Sequence, residues 1–475
     1  MTDARTLVTP STPIAAGLDA RRGPRKRVIV IGAGIAGLAA ALELAEQDHD
    51  PVVLEAQNRV GGRLLTLRTF APGLYAEAGA MRIPRVHELT LDYCRRLGVP
   101  LRPFLMRCEK APLYLAGRRV TFEDVERDPE LMPLKLAAHE SSRTWAQLWE
   151  EATRDVRERY DREGEVMLAE LGRDYDGYSI RRFLLERGFS EDALELYGLM
   201  SFRESNMRVS IVEQLREIVG RAFEDMQEVV GGMDRLPHAF YTRLRSRVRL
   251  GAHVSAVEQD ADRVTVHFRT PGGGTGSVQG DECICTVPFG VLRHIDFRPA
   301  LSRGKYRAIR ELNYNPSTKI LLQVRRRFWE EQGIVGGVTV TDLPIRRIVY
   351  PSHPPADGDP RGVLLASYTW GQDAARWGAL SPDERIERAI HDVAKIHPEI
   401  VAECEGGTSY SWYDDPFAVG AFALFEPGQE TALHPHIVRP EGRVHFAGEH
   451  CSLWHAWIQG AIESGLRAAA AVNAA

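Results

Sequence analysis

Residues 27–38 read Arg27-Val28-Ile29-Val30-Ile31-Gly32-Ala33-Gly34-Ile35-Ala36-Gly37-Leu38, and the fold is decided by how they are read. Val28 to Ile31 are four consecutive apolar residues, the pattern of a parallel strand buried on both faces. Gly32, Gly34 and Gly37 follow with the spacing G-x-G-x-x-G. The first allows a tight turn, the second lets the backbone approach a pyrophosphate, and the third lets helix and strand pack closely. The helix expected over about residues 36–46 aims its unpaired N–H groups and positive dipole end at the phosphates, with Ile35 and Ala36 at its start. Pro51-Val52-Val53-Leu54 reads as a second buried strand. It ends at Glu55, where a carboxylate binds ribose hydroxyls. The glycine triplet alone is a weak sign, but strand, turn, helix, strand and acid together specify a dinucleotide site. A ligand-free glycine turn leaves Glu55 without a role.

The chain has 475 residues, 44% hydrophobic and 26% charged, with a net charge of −5. That length suggests about three domains, and the charge argues against nucleic-acid binding as the main business. No apolar run reaches the roughly 18 residues that span a bilayer. The N-terminus lacks a basic start followed by an apolar core, so no secretory signal is expected and a cytoplasmic location is the expectation. Arg21, Arg22, Arg25, Lys26 and Arg27 cluster as in a transit peptide, but Asp3 and Asp19 oppose one. Residues 1–24 are expected to form a flexible or surface-clinging arm. The six cysteines (94, 108, 283, 285, 404 and 451) show no metal or C-x-x-C spacing, and no metal site is expected.

After Glu55 the chain continues Ala56-Gln57-Asn58-Arg59-Val60-Gly61-Gly62-Arg63. The glycine pair between two arginines permits close backbone approach, and Arg63 suits bidentate pairing with a phosphate. Far downstream, Val444-His445-Phe446-Ala447-Gly448-Glu449 is a strand ending in F-A-G-E, followed by Ala456-Trp457-Ile458-Gln459-Gly460-Ala461 at a helix start. On these motifs the chain resembles the flavin amine oxidase family, most of all the L-amino acid oxidases, over nearly its whole length. The resemblance implies a Rossmann-type FAD-binding domain (residues 25–72, 228–312 and 428–475) interleaved with a mixed-sheet substrate domain (73–125 and 313–427). Residues 126–227 are dense in Glu, Arg, Leu and Ala and read as an inserted helical domain. Overall the fold class is α/β, α+β in sum. One helix, about residues 382–397, is expected within the strand-rich 313–427. The aromatic stripe Trp145, Leu148, Trp149, Ala152 and Val156 reads as core.

The resemblance also implies residue roles. FAD is expected to contact the first glycine loop, Glu55, Ala56, Arg59, Gly62, Arg63 and the segment Gly79-Ala80-Met81-Arg82. Val254 is expected near the adenine, Glu449 at the ribityl chain, and Ala456, Trp457, Ile458 and Ala461 against the flavin ring. Gly79-Ala80-Met81-Arg82 matches the G-x-M-R motif of L-amino acid oxidases, in which the arginine pairs with the substrate carboxylate. A guanidinium fork suits that geometry. Many amine oxidases keep an arginine here as a flavin contact, so that alternative stays open. Tyr368 is expected as the second carboxylate ligand, and Lys319 matches the lysine that holds a water near flavin N5. Trp457 and Phe422 match the aromatic walls flanking the substrate amine, whose hydrogen-bond acceptor would be the Ala456 carbonyl. Trp412 is a further aromatic of this region. Monoamine oxidases attach FAD through a cysteine just before the Phe422 position. Here it is Ala421, so FAD is expected to be non-covalent.

The expected reaction is oxidation of an L-amino acid to a 2-oxo acid with ammonia and H2O2, O2 being the acceptor. An amine or polyamine oxidase, a decarboxylating amino-acid 2-monooxygenase and a non-catalytic flavin-binding module are the alternatives. The family also implies a homodimer. Arg203, Glu204 and Asp225, at the end of the insert, are charged candidates for side-chain selection, or else solvated helix faces.

Overall fold

The computed structural model describes residues 17–164, 166–354 and 358–475. The strand Arg27–Ile31 lies in the middle of five parallel strands, in the order Val444–Phe446, Glu282–Cys285, Arg27–Ile31, Asp50–Leu54 and Val248–Arg249. Its side chains alternate between two cores. Val28 and Val30 pack under the helices Ile35–Glu46 and Ile458–Ala474, while Ile29 and Ile31 meet Val254, Val257 and Phe289 on the other face. That double burial explains the unbroken apolar run. The two helices approach closely because small residues line their contact: a Cβ on Gly465 would lie 2.3 Å from the Ala36 carbonyl oxygen.

The second face is covered by a four-stranded sheet, Thr275–Gly280, Val264–Arg269, His253–Gln259 and Asp296–Arg298. A seven-stranded mixed sheet forms the other large layer, in the order Cys404–Ser411, Ser317–Val324, Gly362–Trp370, Arg347–Val349, Val338–Thr341, Pro112–Leu115 and Arg118–Thr121. Its register places Lys319 directly opposite Tyr368. Within residues 313–427 the expected helix is present as Pro382–Ala394, but it is not alone. Gly371–Gly378 is also a helix, started by Gly371 at φ 55° and anchored by buried Ala374 and Trp377 at helical spacing, and Phe328–Glu331 and Ile400–Glu403 are single helical turns.

Residues 145–219 are helical, with Trp145–Ala152, Arg154–Glu163, Val166–Tyr175, Ile180–Glu186, Glu191–Ser201 and Ile211–Val219. The stripe is core as expected: Leu148, Trp149, Ala152 and Val156 are buried, although the helix breaks at Thr153. Trp149, Phe183 and Leu215 share one apolar cluster with Leu113, Val340 and Leu365 of the seven-stranded sheet, so the helices cap that sheet. Residues 1–16 of the expected N-terminal arm lie outside the described residues. Its last residues cling to the surface: the Asp19 carbonyl accepts from Asn473 Nδ2 at 2.9 Å, and Arg21 N donates to Gln47 Oε1 at 3.2 Å. Among the described residues no helix is long and apolar enough to cross a membrane.

Candidate functional site

One continuous cavity runs from the end of the parallel sheet to an aromatic chamber beneath the helices. At the sheet end it is lined by Gly32, Gly34, Ile35, Ala36, Glu55, Ala56, Gly62, Arg63 and Val254. Gly32 has φ 102°, a conformation that favours glycine. No side chain caps the helix Ile35–Glu46, which leaves its first N–H groups for a ligand. A Cβ on Gly34 would meet no protein atom within 4 Å, whereas one on Gly62 would lie 3.4 Å from the Gly34 Cα. Two glycine turns thus converge on one cradle. This donor set fits a dinucleotide.

Two expected contacts do not line this cavity. Gly37 is packed: a Cβ there would lie 2.1 Å from the Gly32 carbonyl oxygen, so its bareness serves helix–strand packing. Arg59 braces the loop by donating from Nη1 to the Gly62 carbonyl at 2.8 Å. Glu55 accepts from Ala33 N at 2.7 Å and from Gln57 N at 2.8 Å. Burial raises its pKa, and those N–H groups resist the shift.

Arg63 differs from expectation. Rather than standing free for a phosphate, it donates from Nη1 to Glu449 Oε1 at 2.6 Å and to the Ala421 carbonyl at 3.0 Å. Glu449 also accepts from Ala456 N at 3.1 Å and Ala423 N at 3.3 Å. Burial opposes both charges but each outweighs it for the other, so Arg63 is raised and Glu449 lowered. A buried charge without such a partner is costly.

In the middle of the cavity, Gly79, Ala80, Met81 and Arg82 line the wall. A Cβ on Gly79 would lie 1.9 Å from the Arg63 carbonyl oxygen, so this strap presses against the first arginine loop. Lys319, 2% exposed, clamps the strap from the seven-stranded sheet by donating to the Gly79 carbonyl at 2.7 Å and the Glu77 carbonyl at 3.1 Å. Burial lowers its pKa, and the Glu77 carboxylate works against that. Glu77 is itself raised by burial. Trp412 Nε1 donates to the Ala78 carbonyl at 2.8 Å from the same side.

Tyr368, Phe422, Trp457, Trp370, Phe223, Arg203 and Glu217 line the far chamber with Arg82. The Lys319 ammonium lies 4.8 Å from the Tyr368 ring centroid, and the Trp370 and Phe422 rings meet edge-on at 5.3 Å. Ala456, at φ 66°, starts the approach to the helix Ile458–Ala474, and with Ile458 and Ala461 it completes the lining. An alanine in the left-handed region is strained and is held by its N–H bond to Glu449. The Arg82 guanidinium has no hydrogen bond or ion pair among the described residues. Burial lowers its pKa, with Tyr368 and Glu217 supporting the charge and Arg203 opposing it.

Sequence reasoning missed Glu217, Phe223 and Trp370. Arg203 is 4% exposed and paired with Glu217, so the solvated-face alternative is wrong for it. Asp225 is exposed on Arg85, outside the cavity. The missed signal lay in Ile211–Val219, where Glu213 and Glu217 stand four apart. Like charges there repel on a solvated face, so each needs a partner from elsewhere. Glu213 finds His455 Nδ1 at 2.8 Å, and Glu217 finds Arg203 and Trp457.

Comparison with known proteins agrees with this geometry. The family model for flavin-containing amine oxidoreductases matches residues 35–473. YobN of Bacillus subtilis (strain 168) is 40% identical over 463 residues, covering 96% of both chains. An L-amino-acid oxidase of Siganus canaliculatus is 37% identical over 451 residues, covering 94% of this chain and 85% of the relative. In fold, cyclohexylamine oxidase from Brevibacterium oxydans IH-35A superposes with a TM-score of 0.75 at 22% identity, covering 95% of this chain and 99% of the other. The motifs that bound the cavity at residues 55–63, 79–82 and 446–461 fall within the matched span, and the chain belongs to the family of flavin-containing amine oxidoreductases.

Proposed function

We propose that the chain is an FAD-dependent L-amino acid oxidase that binds its cofactor non-covalently. The observation that carries this reading is the Arg82 guanidinium, without a hydrogen bond or ion pair among the described residues, in a chamber walled by aromatic rings and the paired Arg203 and Glu217. Arg82 is half-buried and has no counter-ion from the described residues of the protein, and a ligand carboxylate supplies one. A simple amine brings no such group. Curated relatives named L-amino-acid oxidases, at 36–37% identity, support the same substrate class.

Arg82 and Tyr368 hold the carboxylate, which fixes the α-carbon relative to the rest of the cavity. The Ala456 carbonyl accepts from the substrate amine. Phe422 and Trp457 exclude water on either side of it. Lys319 holds the 77–79 carbonyls in place and with them the strap that carries Arg82. When bound, the flavin supplies the two-electron oxidant, which O2 restores with release of H2O2. The imino acid so formed is hydrolysed to a 2-oxo acid and ammonia.

The test pairs a substrate comparison with a variant. In a peroxide assay, leucine should be oxidised and its decarboxylated amine should not. Arg82→Ala should lower kcat/KM for leucine by about 2–5 kcal/mol, the range for cutting a buried charge pair. Preference for the amine, or near-normal leucine turnover by Arg82→Ala, overturns the reading.

A further inference from the structure

We propose that the Arg203–Glu217 ion pair sets which side chain the substrate carries. Closed, it favours uncharged apolar L-amino acids, and either half left alone would recruit a side chain of the opposite charge. The inference rests on the oxidase reading above.

The two residues meet in the cavity wall, Arg203 Nη2 donating to Glu217 Oε2 at 2.5 Å. Both are buried, at 4% and 9% exposure. The other Glu217 oxygen accepts from Trp457 Nε1 at 2.9 Å, so both oxygens are engaged. The Arg203 guanidinium lies over the Trp370 ring, 5.2 Å from its centroid. Arg347, the third guanidinium near Arg82, is outside the wall and donates to the Leu199 and Met200 carbonyls.

A charged substrate side chain entering this chamber would lose its water and find both wall charges already paired. An apolar one meets Phe223, Trp370 and Leu424. The wrong substrate is thus rejected by leaving its charge unpaired, a repulsive device rather than an extra attraction. The pair also stands close to the carboxylate clamp, since Glu217 and Arg203 act on Arg82 with opposite sign. Neutral as a unit, it leaves the Arg82 charge for a ligand to answer.

The substitutions are chosen to break the pair and spare the wall. Glu217→Gln keeps an amide oxygen for Trp457 Nε1 and removes the anion beside Arg203. Arg203→Gln leaves the Glu217 carboxyl without its cation, so that a cationic substrate side chain can take that place, and Arg203→Lys restores the cation. The readout is the ratio of kcat/KM between leucine, glutamate and arginine, measured on flavin-loaded protein by peroxide release. The wild type should prefer leucine over both charged substrates by about tenfold or more. Glu217→Gln should move the glutamate-to-leucine ratio up about tenfold, Arg203→Gln should do the same for arginine-to-leucine, and Arg203→Lys should return to the wild-type order. A purely structural pair would lower all three substrates together. Unmoved ratios in both variants overturn the inference, and so does a wild type that prefers a charged substrate. A second measurement needs no variant: flavin absorbance should report tighter wild-type binding of 4-methylvalerate than of glutarate, and the reverse order overturns the inference. A wild type that oxidises amines and no amino acid overturns the oxidase reading instead, and is recognised by its inactivity on leucine itself.

Discussion

Ala421 precedes Phe422 in the cavity wall, and its carbonyl accepts from Arg63. A methyl side chain has no atom with which to form a thioether. All six cysteines are free thiols, and none lines the cavity among the described residues. Protein precipitated with trichloroacetic acid should therefore give a colourless pellet and a yellow supernatant. Colour retained in the pellet would show a covalent bond and defeat the non-covalent proposal. At this scale the sequence was legible wherever a residue belongs to a short local pattern. Arg82 follows Gly79-Ala80-Met81, and Glu449 ends a strand. Arg203 and Glu217 were opaque because a charged residue reads the same in sequence whether it faces water or a cavity. Only burial tells the two apart, and burial depends on chain that is distant in sequence.

Among the elements, the glycine loop and its helix separate folding from cofactor binding. A Cβ at residue 37 would sit 2.1 Å from the Gly32 carbonyl oxygen, between strand and helix. Gly37→Ala should destabilise even the cofactor-free protein, by about 1–3 kcal/mol as overpacking does. Gly34 has an ordinary φ of −69° and open space where a Cβ would go. Gly34→Ala should leave the cofactor-free protein within about 1 kcal/mol of wild type, the scale of a changed N-cap, yet retain much less flavin. Thermal melts of the flavin-free variants and flavin content after gel filtration check both halves. A Gly34→Ala protein as fully loaded as wild type would remove the cradle from the proposed site. The periodic elements were the legible ones, since Val28–Ile31 and the Trp149 stripe carry their burial in their spacing. The helix Gly371–Gly378 escaped because eight residues with three buried positions, one of them a glycine, give too short a period to read.

For the whole molecule, the pairs that hold the site join residues hundreds of positions apart: Arg63 with Glu449, Glu217 with Trp457, Glu213 with His455. No spacing encodes such pairings, because they form only when the helices close over the two sheets. The same closure buries histidines, and it has a consequence in pH. Burial pushes His87, His434 and His450 down to about 3 and His397 to about 4, against an ordinary value of 6.5. In the unfolded chain all four would take up protons as the pH falls through that value. Between the folded and unfolded values the unfolded state binds more protons, so stability rises with pH there and is lost on acidification. The lowered carboxylates Glu213 and Glu449 act in the same direction further down, below their ordinary 4.5. His455 opposes, because Glu213 overcomes its burial and raises it, so its contribution is fully present below 6.5 and is lost as the pH rises through its folded value. His49 is lowered as well, while the raised carboxyls Glu55, Glu77, Glu204, Glu217 and Glu430 act with His455 against the five; the histidines, whose ordinary value lies between pH 7.5 and pH 5, set the sign in that window. The thermal midpoint of the protein, at fixed ionic strength, should fall by roughly 5 °C between pH 7.5 and pH 5. His434→Gln should flatten that slope, because a glutamine takes up no proton in either state. A midpoint that is level or rises toward pH 5 would mean that these histidines are solvated in the folded protein, and that the helices do not close over the sheets as tightly as the pairing of Glu213 with His455 requires.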